Sequence, residues 1–273
     1  MLEKMLKVFF HVCYKLLTTT LTQQNTVSTV VAKTAGRITT DQLTAGLAAE
    51  RLDEDRQGYE NFVGPALGVR GALRRDERNT VENVDQYLQA WWKFAPRWSL
   101  LAGARRSRIT FTSRDAYVTA TNPDDSGRVV YDRALPVAGL VFAPDEAWRL
   151  YASWGRGFET PTFNEVGYRA DGGAGLAFDL RPATTRNAEL GMKWRGEQGL
   201  RVETAVFRAD TDDELAVARN IGGRSSFRNV GAARRQGVEL QAELPLQAAW
   251  QLQLAYTWLD ATFRDAFPIC KAS

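Results

Sequence analysis

Histidine and cysteine are nearly missing from this chain of 273 residues: one histidine, His11, and two cysteines, Cys13 and Cys270. With one imidazole, most histidine-based catalysis and zinc chemistry drop out of consideration. The two cysteines sit near opposite ends and form no metal-ligand spacing, which leaves a mutual disulfide or two free thiols as the alternatives. Charge of one sign is also scarce. A formal net charge of +3, without a dense basic run, excludes a phosphate-tracking surface and therefore nucleic acid as a partner. No stretch approaches the roughly 18 consecutive apolar residues of a membrane helix. That absence says nothing of a membrane barrel, whose strands are apolar on one face only.

What is abundant is aromatic: eight Trp, eight Tyr and thirteen Phe. From about residue 41 onward the apolar residues also recur with a period of two. The clearest case is WQLQLAYTW, residues 250–258, where Trp250, Leu252, Leu254, Tyr256 and Trp258 alternate with Gln251, Gln253, Ala255 and Thr257. GVELQAEL, residues 237–244, repeats the pattern, as do 148–155, 187–194 and 200–206. Looser versions run at 41–52, 81–94, 98–111 and 131–142. Alternation of this kind predicts roughly nine half-buried strands.

The connections alternate too. Short turns are expected at Ala95–Arg97, Ala143–Glu146, Arg195–Gly199 and Pro245–Ala248, and long polar links at about 53–80, 112–130, 156–186 and 209–234. In an up-and-down meander every second connection lies at the same end, so one end is trimmed and the other elaborated, as in an outer-membrane barrel. Trp91, Trp92, Phe94, Trp98, Trp148, Trp194 and Trp250 fall near the short-turn end, and Trp154 and Trp258 toward the other. Two aromatic bands of this kind mark membrane interfaces. A soluble β-sandwich with aromatics in its core is the competing architecture.

Four blocks carry a resemblance. GRGFETPTFNE at 155–165, LRPATTRNAELGMK at 180–193, FRADTDDEL at 207–215 and FRNVGAARRQGVEL at 227–240 look, in order and spacing, like the later barrel of a TonB-dependent outer-membrane receptor of the siderophore-receptor type. The resemblance covers about residues 40–265. It implies an all-β fold, a partial antiparallel up-and-down transmembrane barrel, located in the cell outer membrane. It also implies a ferric siderophore as ligand, an energy-transducing periplasm-spanning partner, contact with outer-membrane lipid, no enzymatic activity and no cofactor. The GRGF stretch is then a barrel rim and not a phosphate cradle, because Pro161 and the Gly-rich run 171–175 leave no following helix to supply an N-terminus.

Departures from the family pattern are part of the expectation. Residues 1–39 read as an atypical leader. Within them, Leu2, Met5, Leu6, Phe9, Cys13 and Leu16 stand at the spacing of a short amphipathic helix. No signal peptide, partner-engaging box or plug is recognisable there, and 266–273 reads as a truncated tail. The expectation is thus a barrel fragment that is not a competent transporter alone. A soluble or surface-displayed all-β binding module and a passive porin-like barrel stand as alternatives.

The candidate ligand residues are Arg219, Arg224 and Arg228, arginines on an outside link that would attract an anionic ferric chelate. Charge balance or contact with anionic lipid is the alternative for them. Asp210, Asp212, Asp213 and Glu214 form an acidic cluster without the glycine-punctuated alternation of a calcium loop, and are read as a solvated outside loop. Arg149, Arg201, Glu203, Glu239, Gln241 and Glu243 are read as facing the barrel lumen.

Overall fold

In a strand the side chains alternate between faces, so a period of two maintained through successive segments dictates a sheet with one greasy side. A computed structural model describes residues 22–35, 40–173, 175–221, 224–247 and 250–267, with the backbone alone for 22–35, 40, 41, 221, 224 and 247. The first ladder pairs β1 (Thr22–Ala35) with β2 (Thr40–Tyr59). After a small hairpin of β3 (Phe62–Val63) and β4 (Ala66–Leu67), the chain returns as β5 (Leu73–Ala95), β6 (Trp98–Asp115), β7 (Gly127–Phe142) and β8 (Trp148–Glu159). A one-turn helix, α1 (Phe163–Val166), precedes β9 (Ala183–Arg195) and β10 (Arg201–Asp212). A second hairpin, β11 (Leu215–Ile221) and β12 (Arg224–Asn229), leads to β13 (Ala233–Gln247) and β14 (Trp250–Phe263).

Ten of these strands form one antiparallel sheet in the order β1-β2-β5-β6-β7-β8-β9-β10-β13-β14. The two hairpins stand apart from it. This is the meander, with β1 and β14 as its edges and, among the described residues, no closure between them. The nine strands expected from alternation are all present, and β1 makes a tenth inside the stretch taken as leader. Its sequence, TQQNTVSTVVAKTA, is rich in β-branched residues that favour strands, but apolar and polar residues do not alternate cleanly in it. The expected helix at 1–17, Cys13 and Cys270 lie outside the described residues.

Register identifies the faces. Across β8, β9, β10, β13 and β14 the partners run Ala152–Leu190–Val206–Val238–Trp258, and a parallel row runs Leu150–Met192–Thr204–Leu240–Tyr256. The opposite face carries Arg149–Lys193–Glu203–Gln241–Ala255. Large apolar side chains are exposed all along the first face: Leu43, Leu47, Leu88, Trp92, Leu140, Leu150, Leu190, Val206, Leu254 and Trp258 among them. Among the described residues no second β-layer covers them. A sandwich would bury that face; a barrel wall presents it to acyl chains.

The short-turn end holds the aromatic band. Trp92 and Phe94 are 5.4 Å apart between ring centroids, Phe94 and Trp98 6.5 Å, Trp98 and Phe142 4.5 Å, and Trp148 and Trp194 5.7 Å. Trp91 does not belong to it. It pairs with Gln42 and Leu101, one residue out of phase with Trp92, and so sits on the polar face.

At the other end the strands overshoot. A membrane strand needs about 9–11 residues, whereas β2 has 20 and β5 has 23. The long connections are correspondingly shorter than the sequence suggests, at 60–72, 116–126, 160–182 and 213–232. Buried apolar packing is found here and not under the sheet: Val166, Ala177 and Leu180 pack with Phe163, Leu215 and Phe227.

Candidate functional site

The polar face and the loops that fold over it make the candidate site. In the segment 160–182, Thr162 and Glu165 form a capping box. The Glu165 carboxylate accepts the Thr162 N–H at 2.7 Å and the Thr162 hydroxyl accepts the Glu165 N–H at 3.3 Å. Two orphan donors are thereby satisfied within one turn. The expectation of no helix after Pro161 is therefore corrected: α1 forms, and the signal was Thr162-x-x-Glu165. At four residues it remains too short to serve as an anion-binding terminus.

Helix α1 anchors its segment to the polar face. The Phe163 ring meets Phe111 edge-on at 5.4 Å, Phe111 meets Tyr131 at 5.8 Å, and the Tyr131 hydroxyl donates to the Leu180 carbonyl at 2.9 Å. Phe111 and Tyr131 share their face with Asp85 and Ser107. The 160–182 segment thus lies across the mouth of the polar side. Within it, the Asp171 carboxyl accepts from Arg169 and from the Gly173 N–H, which holds its pKa down to about 2.

Below the cap the polar face is crowded. Asp85, 1% exposed, is ion-paired with Arg105 and accepts from the Asn83 amide at 2.9 Å; Asn79, fully buried, donates to Glu54 at 3.2 Å. Among the described residues, the buried oxygens Glu77 Oε2, Asn79 Oδ1 and Asp85 Oδ1 find no hydrogen-bond partner. Further round, Lys193 meets Glu203 at 2.5 Å, Arg201 meets Glu243 at 3.7 Å, and Tyr151 donates to Glu189. Register places Arg149, Arg201, Glu203, Glu239, Gln241 and Glu243 together on this side.

The three candidate arginines lie in the β11–β12 hairpin. The ladder sets Arg219 opposite Ser226, Arg224 opposite Ile221 and Arg228 opposite Ala216. Arg219 is exposed. Arg228 is half-buried, with its guanidinium 5.8 Å from the Phe267 ring centroid. The side chain of Arg224 lies outside the described residues.

The acidic cluster is only in part a solvated loop: Asp213 and Glu214 lie in the connection after the strand. Asp210 and Asp212 belong to β10, and each acid takes an arginine: Asp210 accepts from Arg208 and Arg234, Asp212 from Arg186, while Asp213 pairs with Arg181 and Glu214 with Arg235. Among the described residues no group of His, Cys, Asp or Glu is placed to hold a metal ion.

Asn229, which stands in the block at 227–240 but was given no role there, clips the hairpin to the cap. Its amide donates to the Arg181 carbonyl at 2.9 Å and the Asp213 carbonyl at 2.8 Å, and its oxygen accepts the Arg181 N–H at 2.9 Å. At about 0.5–1.5 kcal/mol per bond, loss of the two bonds to Arg181 in Asn229→Ala is expected to weaken the clip by about 1–3 kcal/mol. Hydrogen exchange should rise at residues 176–182 and stay unchanged in β9 and β10; a uniform rise would assign Asn229 to global stability instead.

The family described as "TonB dependent receptor-like, beta-barrel" matches residues 11–269. A probable TonB-dependent siderophore receptor, PiuA of Acinetobacter baumannii, is 25% identical over 217 residues, covering 73% of this chain and 26% of that protein. The vitamin B12 transporter BtuB of Vibrio vulnificus is 28% identical over 222 residues, covering 71% and 35%. Among solved structures, the closed form of the ferric-catecholate import receptor Fiu from Escherichia coli superposes with a TM-score of 0.69 at 16% identity, over 91% of this chain and 39% of that one. The chain spans about a quarter to a third of the length of these curated relatives.

Proposed function

Because the chain belongs to the TonB-dependent receptor β-barrel family, whose barrels stand in the outer membrane, we propose that it forms part of the wall of a receptor taking up a ferric siderophore. In this reading the energy comes through a periplasm-spanning partner, and no step is enzymatic. The observation that carries it is the cap. Residues 160–182 pack on the β11–β12 hairpin and on Phe111 and Tyr131, so two of the long connections fold together at one end of the polar face. Long, structured connections at one end suit selective recognition, for which a passive pore has no need. The matched siderophore receptor PiuA and ferric-catecholate receptor Fiu support the choice of ligand class.

Arg219, Arg224 and Arg228 are the proposed anion contacts, drawing in a negatively charged chelate from outside. The test is quenching of tryptophan fluorescence in the full chain folded in neutral detergent. Ferric catecholate, ferric hydroxamate and ferric citrate chelates are titrated against cyanocobalamin. Micromolar or tighter binding, about 8 kcal/mol, is expected for one ferric chelate. Arg219→Gln should weaken it about tenfold, since a charged hydrogen bond contributes roughly 1.5–3 kcal/mol. Quenching by cyanocobalamin alone would overturn the ligand class.

A further inference from the structure

Not every uncovered apolar side chain belongs to the wall. Between β2 and β5 the chain runs FVGPALGV, residues 62–69, eight positions without one polar side chain. Every residue from Asn61 to Arg70 is exposed, Val63 at 57% and Leu67 at 81%. The segment is nonetheless ordered. Its ladder pairs Phe62 with Leu67 and Val63 with Ala66. Below it the Gly68 N–H donates to the Asn61 carbonyl at 2.9 Å, the Gly71 N–H to the Glu60 carbonyl at 2.8 Å and the Glu60 N–H to the Ala72 carbonyl at 2.8 Å. Gly64 and Gly68 take left-handed φ values of 54° and 76°, which suit glycine, and a Cβ on either would meet nothing within 4 Å. The tip is a preformed apolar knob surrounded by open space.

The bilayer around the wall is out of its reach. On the outward face of β5 the apolar residues end with Val84, and Glu82, Thr80, Arg78 and Asp76 follow before Leu73. On β2, Arg51, Asp53, Asp55 and Gln57 continue beyond Leu47 in the same way. Eleven residues separate Val84 from Leu73. That is about 36 Å of strand, or about 25–30 Å of height at the tilt of a barrel strand. The long β2–β5 ladder holds the knob at that distance. Its base is basic: from Glu60 to Arg74 the charged residues are one carboxylate and two guanidiniums. Arg70 and Arg74 are both exposed, with the Arg70 guanidinium steadied 3.6 Å from the Tyr59 ring centroid.

The occupant follows from the shape. Phe62 and Val63 are neighbours on one strand and Ala66 and Leu67 on the other, so apolar side chains point to both faces of the ribbon. A protein groove covers one face, and a stable protein contact takes about 800 Å² per partner, more than these eight residues offer. Acyl chains cover every side, and a few apolar anchors beside basic residues suffice for shallow insertion. Exposed arginines at the base then meet anionic headgroups. We propose that the 60–74 hairpin inserts into a second, apposed lipid surface that carries anionic lipid. The wall stands in one lipid layer and the tip enters another, so the chain tethers the two. The inference rests on the outer-membrane placement of the wall and not on any siderophore.

Vesicle flotation tests it, with the full chain folded into phosphatidylcholine nanodiscs that already cover its wall. Vesicles of mixed phosphatidylglycerol and phosphatidylcholine should carry the discs upward. Phe62→Ser with Leu67→Ser should weaken that binding at least about fiftyfold, through the loss of two buried apolar side chains. Arg70→Gln with Arg74→Gln should weaken it about tenfold or more, and only on anionic vesicles. Val118→Ser, a similar loss at an exposed position in the connection 116–126, should leave it unchanged. In the Phe62→Trp chain the added fluorescence should be quenched by brominated acyl chains in the vesicles and not by brominated lipid in the disc. Quenching from the disc, equal binding to pure phosphatidylcholine vesicles, or an equal loss in Val118→Ser would overturn the inference. So would association of two discs through the tip, or retention on serum albumin, in place of vesicle binding: the occupant would then be a second copy or an apolar protein pocket. A heat-dependent gel mobility, read in parallel, reports folding. A chain that shows none overturns the membrane placement and the tether together, whereas a folded chain that leaves the vesicles unbound overturns the tether alone.

Discussion

Leu190→Arg is expected to cost about 2–4 kcal/mol of folding into a bilayer, the range for arginine on the lipid face of a barrel near the midplane. Leu190 sits on β9, centred between Arg186 at one end and Trp194 at the other, with Ala152 and Val206 as cross-strand neighbours. Its side of the sheet has no cover among the described residues, and 59% of Leu190 is exposed. In water, a substitution at so open a position changes stability by only about 0.5 kcal/mol either way. In lipid the arginine must shed its hydration or deform the bilayer. The magnitude therefore identifies the solvent that this face meets. Urea-dependent folding in phospholipid vesicles measures it, with Gln241→Arg on the polar face as the matched control. A cost no larger for Leu190→Arg than for Gln241→Arg would mean that the face is not lipid-exposed.

The nine strands were legible because each has a stretch where one face meets lipid and the other does not, and alternation is the record of that difference. Their true extents were not legible for the same reason. Beyond the membrane both faces are wet, so Arg74 to Thr80 read as a polar link although the ladder of β5 continues through them. What supports the ladder there is pairing across strands: the Gln57 amide donates to Asp76 at 3.3 Å and Arg78 meets Asp55 at 3.9 Å. Such pairs leave no period in the hydropathy. β1 went unread because Val27, Val30 and Val31 do not keep to one phase. Trp91 was misplaced because counting aromatics by nearness to a turn ignores parity, and adjacent residues on a strand face opposite ways.

The arrangement of the candidate residues was not legible in the sequence. Charge and position pointed to Arg219 and Arg228, but which of them stays open to solvent depends on the tail beyond β14, where Phe267 takes the Arg228 guanidinium. The acidic run TDDE looked like one solvated loop because a one-dimensional string hides its partners. Asp212 and Asp213 are adjacent, yet one pairs with Arg186 in β9 and the other with Arg181 before it. The positive φ of 58° at Asp213 is where the chain leaves the ladder and separates them. Nothing local announces that residues 160–182 will fold over Phe111 and Tyr131, since those rings are some fifty residues upstream and belong to strands with their own alternation. Long-range packing of loops on a wall is set by the wall's curvature and spacing, which hydropathy does not encode.

Glycine at 191 is required by a ring, and its replacement by alanine is expected to cost about 2–4 kcal/mol. Gly191 faces Tyr151 across β8 and β9 on the polar side, and a Cβ built on it would clash with Cζ, Oη and Cε1 of Tyr151. The ring lies over the bare backbone and so brings its hydroxyl to the Glu189 carboxylate, two residues along the same face. Gly46 and Tyr87 repeat the device between β2 and β5. A methyl group at 191 forces the ring away, with about 1–3 kcal/mol for the overpacking and a further share for the hydrogen bond to a charged acceptor. Tyr151→Ala in the same chain removes the obstacle, so the double substitution should cost less than the two singles together, by about 1–3 kcal/mol of coupling. Gly157, on β8 with open space where its Cβ would go, supplies the opposite sign: Gly157→Ala should be neutral or stabilising by up to about 1 kcal/mol through the loss of unfolded-state freedom. Folding midpoints in vesicles compare the two, and equal costs at 157 and 191 would show that strand propensity, and not the tyrosine, selects glycine here.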